Sequence, residues 1–509
     1  MKSFKKTKEA IFLIAFVCFV SVVTSCDDQS VKRVAHDRNK PVNVVSFQPS
    51  EGRVRDYVLI EGNNFGYDQS AIKVFFNESE AKILGVNESG TSILVLVQRV
   101  PFPEGDGKAE VSVQIGNKTG TAPGVFNYKV SSSVTTLAGN GTNRNDYAHG
   151  RLSSLLTSGP TYIGVDYDYN VYFCVGDTPG GSSGLLLISE EKNTVRLVAH
   201  VDQGFDHRGV PNLHPVTGQM LLGGERDRDR HIIITPDQDF AMDVKYIIQW
   251  DANGFPMPSF FNYNSHSTNY GHYNLLYCEW DEMFYSRYTS GQIVKIDPEA
   301  WTATIIGMTP PGVTYGMGFN TYTDRDEEGN RINLFSDTDK RYELWMAYSN
   351  DGGSAPAQAA AAWRHSLSTV DIRDDLRWKD VYGEDATVVP SGASNDIMSS
   401  FTIRLGVNGS HRDGPMSQAY INNPRQLAFD QYGVMYLGCR GSHTIRQIDT
   451  KTEMVSTLIG IPGISSPFRD GAKEDATFNA PHGIVSNREG NILYVADNAN
   501  HRIRRIAVE

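Results

Sequence analysis

Apolar and polar residues alternate in short runs between residues 41 and 130. Seven such runs, rich in β-branched and aromatic residues and separated by Pro, Gly or Asn, are VNVVSF, YVLIEG, IKVFF, AKILGV, SILVLV, AEVSVQI and VFNYKV. A period of two is typical of strands that bury one face. About seven strands in about 90 residues predict an immunoglobulin-like sandwich for residues 41–130.

A longer pattern repeats after residue 131. Three stretches, which start at residues 134, 401 and 455, align with one another. In each, a proline is followed by an apolar strand, a polar turn and a second strand with a tyrosine; the aligned residues are Pro160, Pro424, Pro481, Tyr172, Tyr436 and Tyr494. Repeated units of antiparallel strands predict the blades of a β-propeller.

Three weaker copies cover residues 211–237, 274–297 and 319–348. Residues 131–509 are therefore predicted to form six blades, built on Pro160, Pro211, Asn274, Phe319, Pro424 and Pro481. Five or seven blades stay open, because residues 350–400 do not resemble their neighbours. The predicted fold class is all-β, with the sandwich followed by the propeller.

The last copy ends without an outer strand. VSTLIG follows the preceding copy, whereas HRIRRIAVE ends the sequence, and a similar VTTLAG lies at residues 134–139. A propeller exposes sheet edges unless its first and last blades are joined. We therefore expect residues 134–139 to provide the outer strand of the last blade.

The first 25 residues have the pattern of a secretory signal, with four lysines before the apolar run IFLIAFVCFVSVV. Val23-Thr24-Ser25-Cys26 resembles a bacterial lipobox, which implies a lipid on Cys26 and an outer-membrane anchor. An ordinary secretory signal near a cysteine is the alternative. Residues 26–40 are polar and predict a tether; their Asp27-Asp28 resembles the surface-export signal of glycan-foraging Gram-negative bacteria.

Net charge, cysteine spacing and the absence of known motifs limit the kinds of partner and catalysis that the sequence predicts. The formal net charge of −12 argues against a nucleic-acid partner. Cys174, Cys278 and Cys439 have no metal-type spacing and are each predicted near the end of a second strand, as core residues. No known catalytic or cofactor motif occurs, so no cofactor and no metal is predicted. DYDYN at 166–170 and DRDEEGN at 324–330 resemble calcium loops but lack the ligand count of an EF-hand, so they are predicted as turns, with structural calcium as the alternative.

Residues 260–274, FFNYNSHSTNYGHYN, interleave aromatic side chains with asparagines. Aromatic faces stack on the apolar face of sugar rings, and Asn amides both donate and accept hydrogen bonds. We therefore predict a carbohydrate site, with an ordinary surface loop as the alternative. Tryptophans of the region 345–378 are added to it, although core packing would equally explain them. The predicted ligand-binding residues are Tyr263, His266, Tyr270, His272, Tyr273, Trp345, Trp363 and Trp378.

Two motifs resemble known families. GNNFG at 62–66, with its flanking strands, resembles an IPT/TIG domain; its two glycines are expected to take positive φ around a buried Phe65. ADNANHRIRRI at 496–506 resembles an NHL repeat. With the lipobox, this domain order resembles surface lipoproteins of starch-utilisation-type glycan loci.

That resemblance implies a non-catalytic protein that captures polysaccharide beside an outer-membrane transporter and the transporter's glycan-binding lipoprotein. A propeller enzyme, either a polysaccharide lyase or a glycoside hydrolase, is one alternative. In it, His266 and His272 would work with Tyr285 and Arg287 in proton abstraction. A protein-interaction scaffold without a ligand is the other alternative.

Overall fold

The computed structural model describes residues 33–52, 56–77, 79–98, 108–129, 132–143, 150–155, 157, 159–175, 184–200, 209–223, 229–251, 274–288, 292–308, 316–326, 330–349, 365–373, 402–405 and 409–508. Their regular structure is β-strand with isolated 3-10 turns, which confirms the all-β fold class. In this described part of the chain, we find no helix with the length and hydrophobicity of a membrane span. The described residues up to Tyr128 form one compact unit, and those from Lys129 onward form another.

The first unit is a sandwich of two sheets. Its strands are β1 (Asn43–Gln48), β2 (Glu51–Gly52), β3 (Tyr57–Asn63), β4 (Ile72–Phe76), β5 (Ser79–Glu80), β6 (Lys82–Val86), β7 (Ser92–Leu96), β8 (Lys108–Ile115) and β9 (Lys118–Tyr128). One sheet has the order β1–β3–β7–β6, and the other has the order β2–β9–β8–β4–β5. Alternate residues are buried, as Ile72, Val74 and Phe76 show for β4, because successive side chains of a strand point to opposite faces.

The GNNFG turn differs in one detail from its prediction. Phe65 is buried, and Gly66 has the expected positive φ of 80°. Gly62 does not have a positive φ. A Cβ at Gly62 would lie 2.2 Å from the carbonyl oxygen of Asn43 and 2.4 Å from the ring of Phe65. Glycine is therefore needed at position 62 for close approach and not for its backbone angles.

The second unit is the propeller, and its described strands form six sheets. The outer strand β10 (Ser132–Ala138) comes first in the chain. The first blade consists of β11 (Ile163–Val165), β12 (Val171–Val175), β13 (Gly184–Ser189) and β14 (Thr194–His200), and the second consists of β15 (Asn212–Leu213), β16 (Met220–Gly223), β17 (Arg230–Thr235) and β18 (Ala241–Tyr246). The third blade consists of β19 (Gln249–Asp251), β20 (Leu276–Tyr277), β21 (Phe284–Arg287), β22 (Gln292–Ile296) and β23 (Thr302–Met308), and the fourth consists of β24 (Gly316–Phe319), β25 (Glu343–Tyr348), β26 (Ser366–Asp371) and β27 (Thr402–Leu405). The fifth blade consists of β28 (Gly414–Pro415), β29 (Pro424–Phe429), β30 (Val434–Cys439), β31 (Thr444–Asp449) and β32 (Met454–Ile459), and the sixth combines β10 with β33 (Gly471–Ala472), β34 (Pro481–Ser486), β35 (Ile492–Asp497) and β36 (Arg502–Val508).

The six-blade prediction is confirmed. Five of the six predicted starting residues lie at or within three residues of the start of a blade's innermost strand, whereas Phe319 ends β24. The innermost strands contact their neighbours, as β11 does with β15 and β34. Glycines allow this approach: a Cβ at Gly164 would lie 2.0 Å from the oxygen of Pro211, and one at Gly483 would lie 2.4 Å from that of Thr161.

The first and last strands of the propeller close the ring. β10 pairs antiparallel with β36, from Ser132 opposite Val508 to Ala138 opposite Ile503, and its other edge pairs with β33. Val134 of β10 is 1% exposed and packs in the same apolar cluster as Ile506. The prediction that the VTTLAG segment completes the last blade is confirmed.

Histidines link successive blades at a repeated position. The Nδ1 atom of His365 accepts the backbone N–H of Asn423, that of His443 accepts the N–H of Ala480, and that of His501 accepts the N–H of Gly159, at 2.8, 3.0 and 2.9 Å. Each donor is the residue directly before the proline that opens the next blade. The last of these bonds joins the sixth blade to the first, so it also contributes to closure.

The three cysteines are core residues, as predicted. Cys174, Cys278 and Cys439 are all buried, and burial raises the pKa of Cys278 to about 12 and that of Cys439 to about 11. Cys278 follows the innermost strand of its blade, β20, and not the next strand, β21, which corrects its predicted place.

Candidate functional site

Turns between the innermost strand of each blade and the strand next to it meet at one end of the propeller, which we call the turn end. These connections are residues 166–170, 214–219, 278–283, 320–342, 430–433 and 487–491. Contacts join them around the ring: Tyr167 to Pro215, His214 to Tyr277, Glu279 to Arg331, Arg325 to Gln431, Gln431 to Arg488, and Glu489 to Tyr169.

Exposed apolar side chains are concentrated at the turn end. Among the described residues of the propeller, ten large hydrophobic side chains are exposed, and only Tyr246, Ile248 and Ile464 of these lie elsewhere. The seven at the turn end are Tyr167, Tyr169, Val216, Ile332, Leu334, Phe335 and Tyr432. Contiguous exposed apolar surface is typical of interaction sites, so this concentration makes the turn end the candidate site.

Turn chemistry places the tyrosines there. The carboxylate of Asp166 accepts the backbone N–H groups of Asp168 and Asn170 and the hydroxyl of Tyr172. Asp430 likewise accepts the N–H of Tyr432 and a buried tyrosine hydroxyl. Because the aspartate carboxylate accepts the N–H groups on the inner side of the turn, the intervening side chains point outward. The DYDYN segment is thus a hydrogen-bonded turn, as predicted.

Three tyrosines at the turn end keep part of each ring accessible. Tyr167 is 49% exposed, Tyr169 is 41% exposed and Tyr432 is 37% exposed. The hydroxyl of Tyr167 donates to the oxygen of Pro215, and that of Tyr169 donates to Glu489 at 3.3 Å. These bonds hold the first two rings in place without covering them. We call Tyr167, Tyr169 and Tyr432 the tyrosine surface.

The fourth blade has a connection unlike the others. It spans residues 320–342, of which 320–326 and 330–342 are described, whereas the other five have four to six residues. Asp339 organises it: its carboxylate accepts the N–H of Phe335 at 2.9 Å and hydrogen bonds from both the backbone N–H and the guanidinium of Arg341. Burial alone would raise the pKa of Asp339, but these bonds and the charge of Arg341 hold it below the usual value.

Arginines from this long connection extend towards neighbouring blades. The guanidinium of Arg325 donates to the oxygen of Gln431 at 3.0 and 3.2 Å, and the N–H of Gln431 donates to the oxygen of Arg488 at 2.8 Å. Arg331 forms an ion pair with Glu279 of the third blade. We call Arg325, Arg331 and Arg488 the arginine cluster.

The pKa values of these groups reflect the charges around them. Burial, followed by repulsion from Arg341 and Arg488, lowers the pKa of Arg331 to about 10. Burial and then Arg488 lower the pKa of Arg325. Burial raises the pKa of Tyr167, and the charges of Arg488 and Arg331 oppose that rise. Hydrogen bonds from Tyr169 to Glu489 and from Gln431 to Arg488 place the turn of Arg488 beside the turns that carry the tyrosine surface.

A cleft of about 560 Å³ opens between the first and second blades. Its polar lining includes Asp168, Lys192 and Asp237, and its apolar lining includes Phe240, whose ring carries the guanidinium of Arg196 at 4.3 Å. Asp168 lies between the two tyrosines of the DYDYN turn, so the cleft adjoins the tyrosine surface. This volume falls within the usual range for small-ligand sites.

Most of the residues predicted from the sequence to bind a ligand lie outside the described residues, and so does Cys26. They are Tyr263, His266, Tyr270, His272, Tyr273, Trp363 and Trp378. Trp345 is described and is 1% exposed; its ring packs in a core cluster, and its indole N–H points to Glu343. A ring so buried offers no face to a sugar, so Trp345 is a core residue and its predicted ligand role is wrong.

Tyr285 and Arg287, which the enzyme alternative would use in proton abstraction, are both among the described residues. The hydroxyl of Tyr285 donates to Asp281 at 2.7 Å, and burial raises its pKa. The guanidinium of Arg287 is buried and lies 5.6 Å from the ring centre of Tyr348. Both side chains are engaged in packing, and neither is exposed to a substrate.

Sequence reasoning missed the turn end. A signal was present: DYDYN and DQYG place tyrosines beside an aspartate that holds a turn, and 23 residues separate two strands where about five usually do. The arginine cluster has no local signal, because its members are brought together from the fourth and sixth blades.

Comparisons with known proteins agree with the two units. Residues 41–128 match the IPT/TIG domain family, and residues 478–506 match the NHL repeat family. The chain is 34% identical over 98 residues to NHL repeat-containing protein 2 of Bos taurus, covering 19% of this chain and 13% of that protein. The chain thus spans about an eighth of the length of that relative.

Two solved structures from Bacteroides thetaiotaomicron VPI-5482 are similar over almost the whole chain. One, a structural genomics protein of unknown function, has a TM-score of 0.64 at 19% identity, covering 94% of this chain and 100% of that one. This likeness is one of fold. The other, an auxiliary nutrient binding protein, has a TM-score of 0.49 at 20% identity, covering 93% and 99%.

Proposed function

We propose that this protein is a non-catalytic glycan-binding lipoprotein of the cell surface, which captures polysaccharide for an outer-membrane uptake system. The observation that carries the proposal is the tyrosine surface at the turn end. Three partly exposed rings belong to that end, and the turn that carries Tyr167 and Tyr169 adjoins a cleft with charged and polar side chains.

Recognition of a sugar requires both aromatic stacking and hydrogen bonds. The apolar face of a pyranose stacks on an aromatic ring, and its hydroxyls need donors and acceptors in the same plane. Tyrosines held by their own hydroxyl groups lose little rotamer entropy on binding, since each has two χ angles. An open end of a propeller, unlike a closed pocket, also leaves room for a polymer to pass.

The remaining parts of the proposal rest on the sequence. A lipid on Cys26 would anchor the chain in the outer membrane, and the tether 26–40 would let it face the exterior. Its partners would be an outer-membrane transporter and that transporter's own glycan-binding lipoprotein. Residues 260–274 would add a second group of stacking side chains.

The test uses soluble protein that begins at Asp27, run through native gels containing each of a panel of polysaccharides. We expect at least one polysaccharide to retard the protein, with no new products when the same samples are analysed by chromatography. Release of oligosaccharides would make the protein an enzyme. Retardation by none of them would leave the scaffold alternative.

The role of the tyrosine surface is tested with the triple variant Tyr167→Ala, Tyr169→Ala, Tyr432→Ala. Loss of one contact at a binding hot spot costs about 2 kcal/mol, so we expect well over tenfold weaker binding. The control is Tyr246→Ala, because Tyr246 is 50% exposed but lies on β18, away from the turn end. Equal binding by both variants would place the site elsewhere.

A further inference from the structure

We propose that residues 33–41, which we call the docked segment, hold the sandwich close to the membrane, with the end that carries the GNNFG turn towards the lipid surface. This inference rests on the lipid on Cys26 in the proposed function, and it adds which part of the protein meets the membrane. It also shortens the tether predicted over residues 26–40 to residues 27–32.

The side chain of Asn64, in the GNNFG turn, is the main attachment of the docked segment. Its Oδ1 accepts the backbone N–H of Asp37 at 2.7 Å. Its Nδ2 donates to the backbone oxygens of Asp37, Lys40 and Pro41 at 3.0, 3.1 and 3.2 Å. The backbone oxygen of Asn64 lies 2.7 Å from the Nδ1 of His36. An amide both donates and accepts hydrogen bonds, so this one side chain holds N–H and C=O groups of the segment together.

Two other parts of the sandwich also hold the docked segment. The Nζ of Lys118, the first residue of β9, donates to the backbone oxygens of Arg38 and Lys40. The N–H of Val34 donates to the backbone oxygen of Glu88, in the connection between β6 and β7, at 2.9 Å. The attachments thus cover almost the whole segment and come from three separate places, so the segment belongs to the folded sandwich.

These attachments lie at one end of the sandwich. Asn63 ends β3 and Lys118 begins β9, whereas Tyr128 ends β9. Since β9 has 11 residues and a strand rises about 3.3 Å per residue, its two ends are about 33 Å apart. The docked segment therefore meets the sandwich at the end opposite to Tyr128.

The docked segment sets a short limit on the distance between the sandwich and the lipid. Six residues, 27–32, lie between Cys26 and Arg33. Because an extended chain advances at most about 3.6 Å per residue, the Cα atoms of Cys26 and Arg33 are at most about 25 Å apart. If residues 33–41 were not docked, Val42 would be the first fixed residue, and the limit would be about 58 Å. Docking thus more than halves the reach of the tether.

Side chains beside the docked segment suit the boundary between lipid and water. Val34 is 46% exposed and Tyr67 is 43% exposed. A tyrosine suits this boundary because its ring is apolar and its hydroxyl is polar. The guanidinium of Arg33 lies 5.7 Å from the ring centre of Tyr67, and an ion pair with Glu88 at 3.6 Å offsets its charge. We therefore expect this end to contact zwitterionic lipid.

The first measurement tests the docking in the soluble protein that begins at Asp27. Hydrogen exchange is followed by mass spectrometry in peptides that cover the docked segment. Asn64→Gly removes the amide and still permits the positive φ of 67° at this position. The matched control is Asn63→Gly, because Asn63 is the adjacent exposed asparagine and its side chain makes no hydrogen bond with the described residues. We expect slow exchange in the wild type and in the control, and exchange on the order of tenfold faster in Asn64→Gly.

The second measurement tests the orientation in the lipidated full chain. Asn117→Cys and Asn127→Cys place a donor dye at exposed positions near the two ends of β9, and the described cysteines are buried and do not compete for the dye. The protein is inserted into vesicles of zwitterionic lipid with an acceptor dye on the headgroups. Energy transfer should be stronger from position 117 than from position 127, and Asn64→Gly should reduce this difference.

Each part of the inference has a result that would overturn it. Fast exchange of the docked segment in the wild type, or equal effects of Asn64→Gly and Asn63→Gly, would overturn the docking. Equal energy transfer from the two labels, or stronger transfer from position 127, would overturn the orientation. Labelled fatty acid is measured in the same lipidated preparation. Its absence would remove the anchor of the proposed function and the membrane contact with it, whereas incorporation with equal transfer would remove only this inference.

Discussion

Ring closure by β10 makes a quantitative prediction about stability. Deletion of residues 132–138 would remove six paired positions opposite β36 and leave the edge of the last blade uncovered. With about one backbone hydrogen bond per paired position, each worth about 0.5–1.5 kcal/mol net, the loss is roughly 3–9 kcal/mol. Exclusion of Val134 from the core adds about 1.5–3 kcal/mol. The sum is comparable to the whole stability of a typical domain, about 5–15 kcal/mol.

Substitutions within β10 separate closure from a simple effect of deletion. Val134→Asp places a carboxylate in the apolar cluster, whereas Thr135→Asp places the same group on the exposed face of the same strand. Urea unfolding followed by tryptophan fluorescence should show a large loss of stability for the deletion and for Val134→Asp, and little for Thr135→Asp. A deletion variant that unfolds at the wild-type urea concentration, or equal effects of the two substitutions, would refute the reasoning.

Further predictions concern pH, the anchor and the second binding region. Burial lowers the pKa of His443 and His501, and their Nδ1 atoms must stay unprotonated to accept backbone N–H groups. Because the unfolded chain then binds more protons, these histidines contribute their full stability above about pH 6.5, and the contribution falls as the pH drops towards their lower pKa values in the folded state. The unfolding midpoints at pH 7.5 and 5.5 should therefore differ less in His501→Gln than in the wild type. Parallel pH profiles of the two proteins would contradict this. Cys26→Ala should move the protein out of the membrane fraction and abolish incorporation of labelled fatty acid, since stable anchoring requires more than one acyl chain; unchanged fractionation and labelling would show that Cys26 is not the anchor. If residues 260–274 contribute to the site, the triple variant Tyr263→Ala, Tyr270→Ala, Tyr273→Ala, with an unchanged melting temperature, should bind the glycan at least tenfold more weakly. Wild-type affinity of this variant would exclude the segment from the site.

The strands and the closure could be predicted because their signals are local or repeated. The first, fifth and sixth blades each have their own proline, turn and tyrosine, and the outer strand of the last blade keeps the motif of its counterpart, VSTLIG. The burial of Trp345 could not be predicted, since composition does not tell a core ring from a stacking ring. The need for glycine at position 62 depends on a contact with Asn43 that no local pattern reveals.

The turn end was missed for a related reason. Tyr169 and Glu489 are 320 residues apart in the sequence, and Arg325 and Gln431 are 106 apart. Only the circular arrangement of blades brings such residues together. A search for dense aromatic segments finds a segment such as 260–274, but it cannot find a surface whose residues come from several blades.

A crystal structure of the soluble protein with an oligosaccharide from a polysaccharide that it binds would test the central claim most directly. We expect electron density for sugar rings against Tyr167, Tyr169 or Tyr432 at the turn end. Density confined to the sandwich unit, or to the propeller away from the turn end, would contradict it.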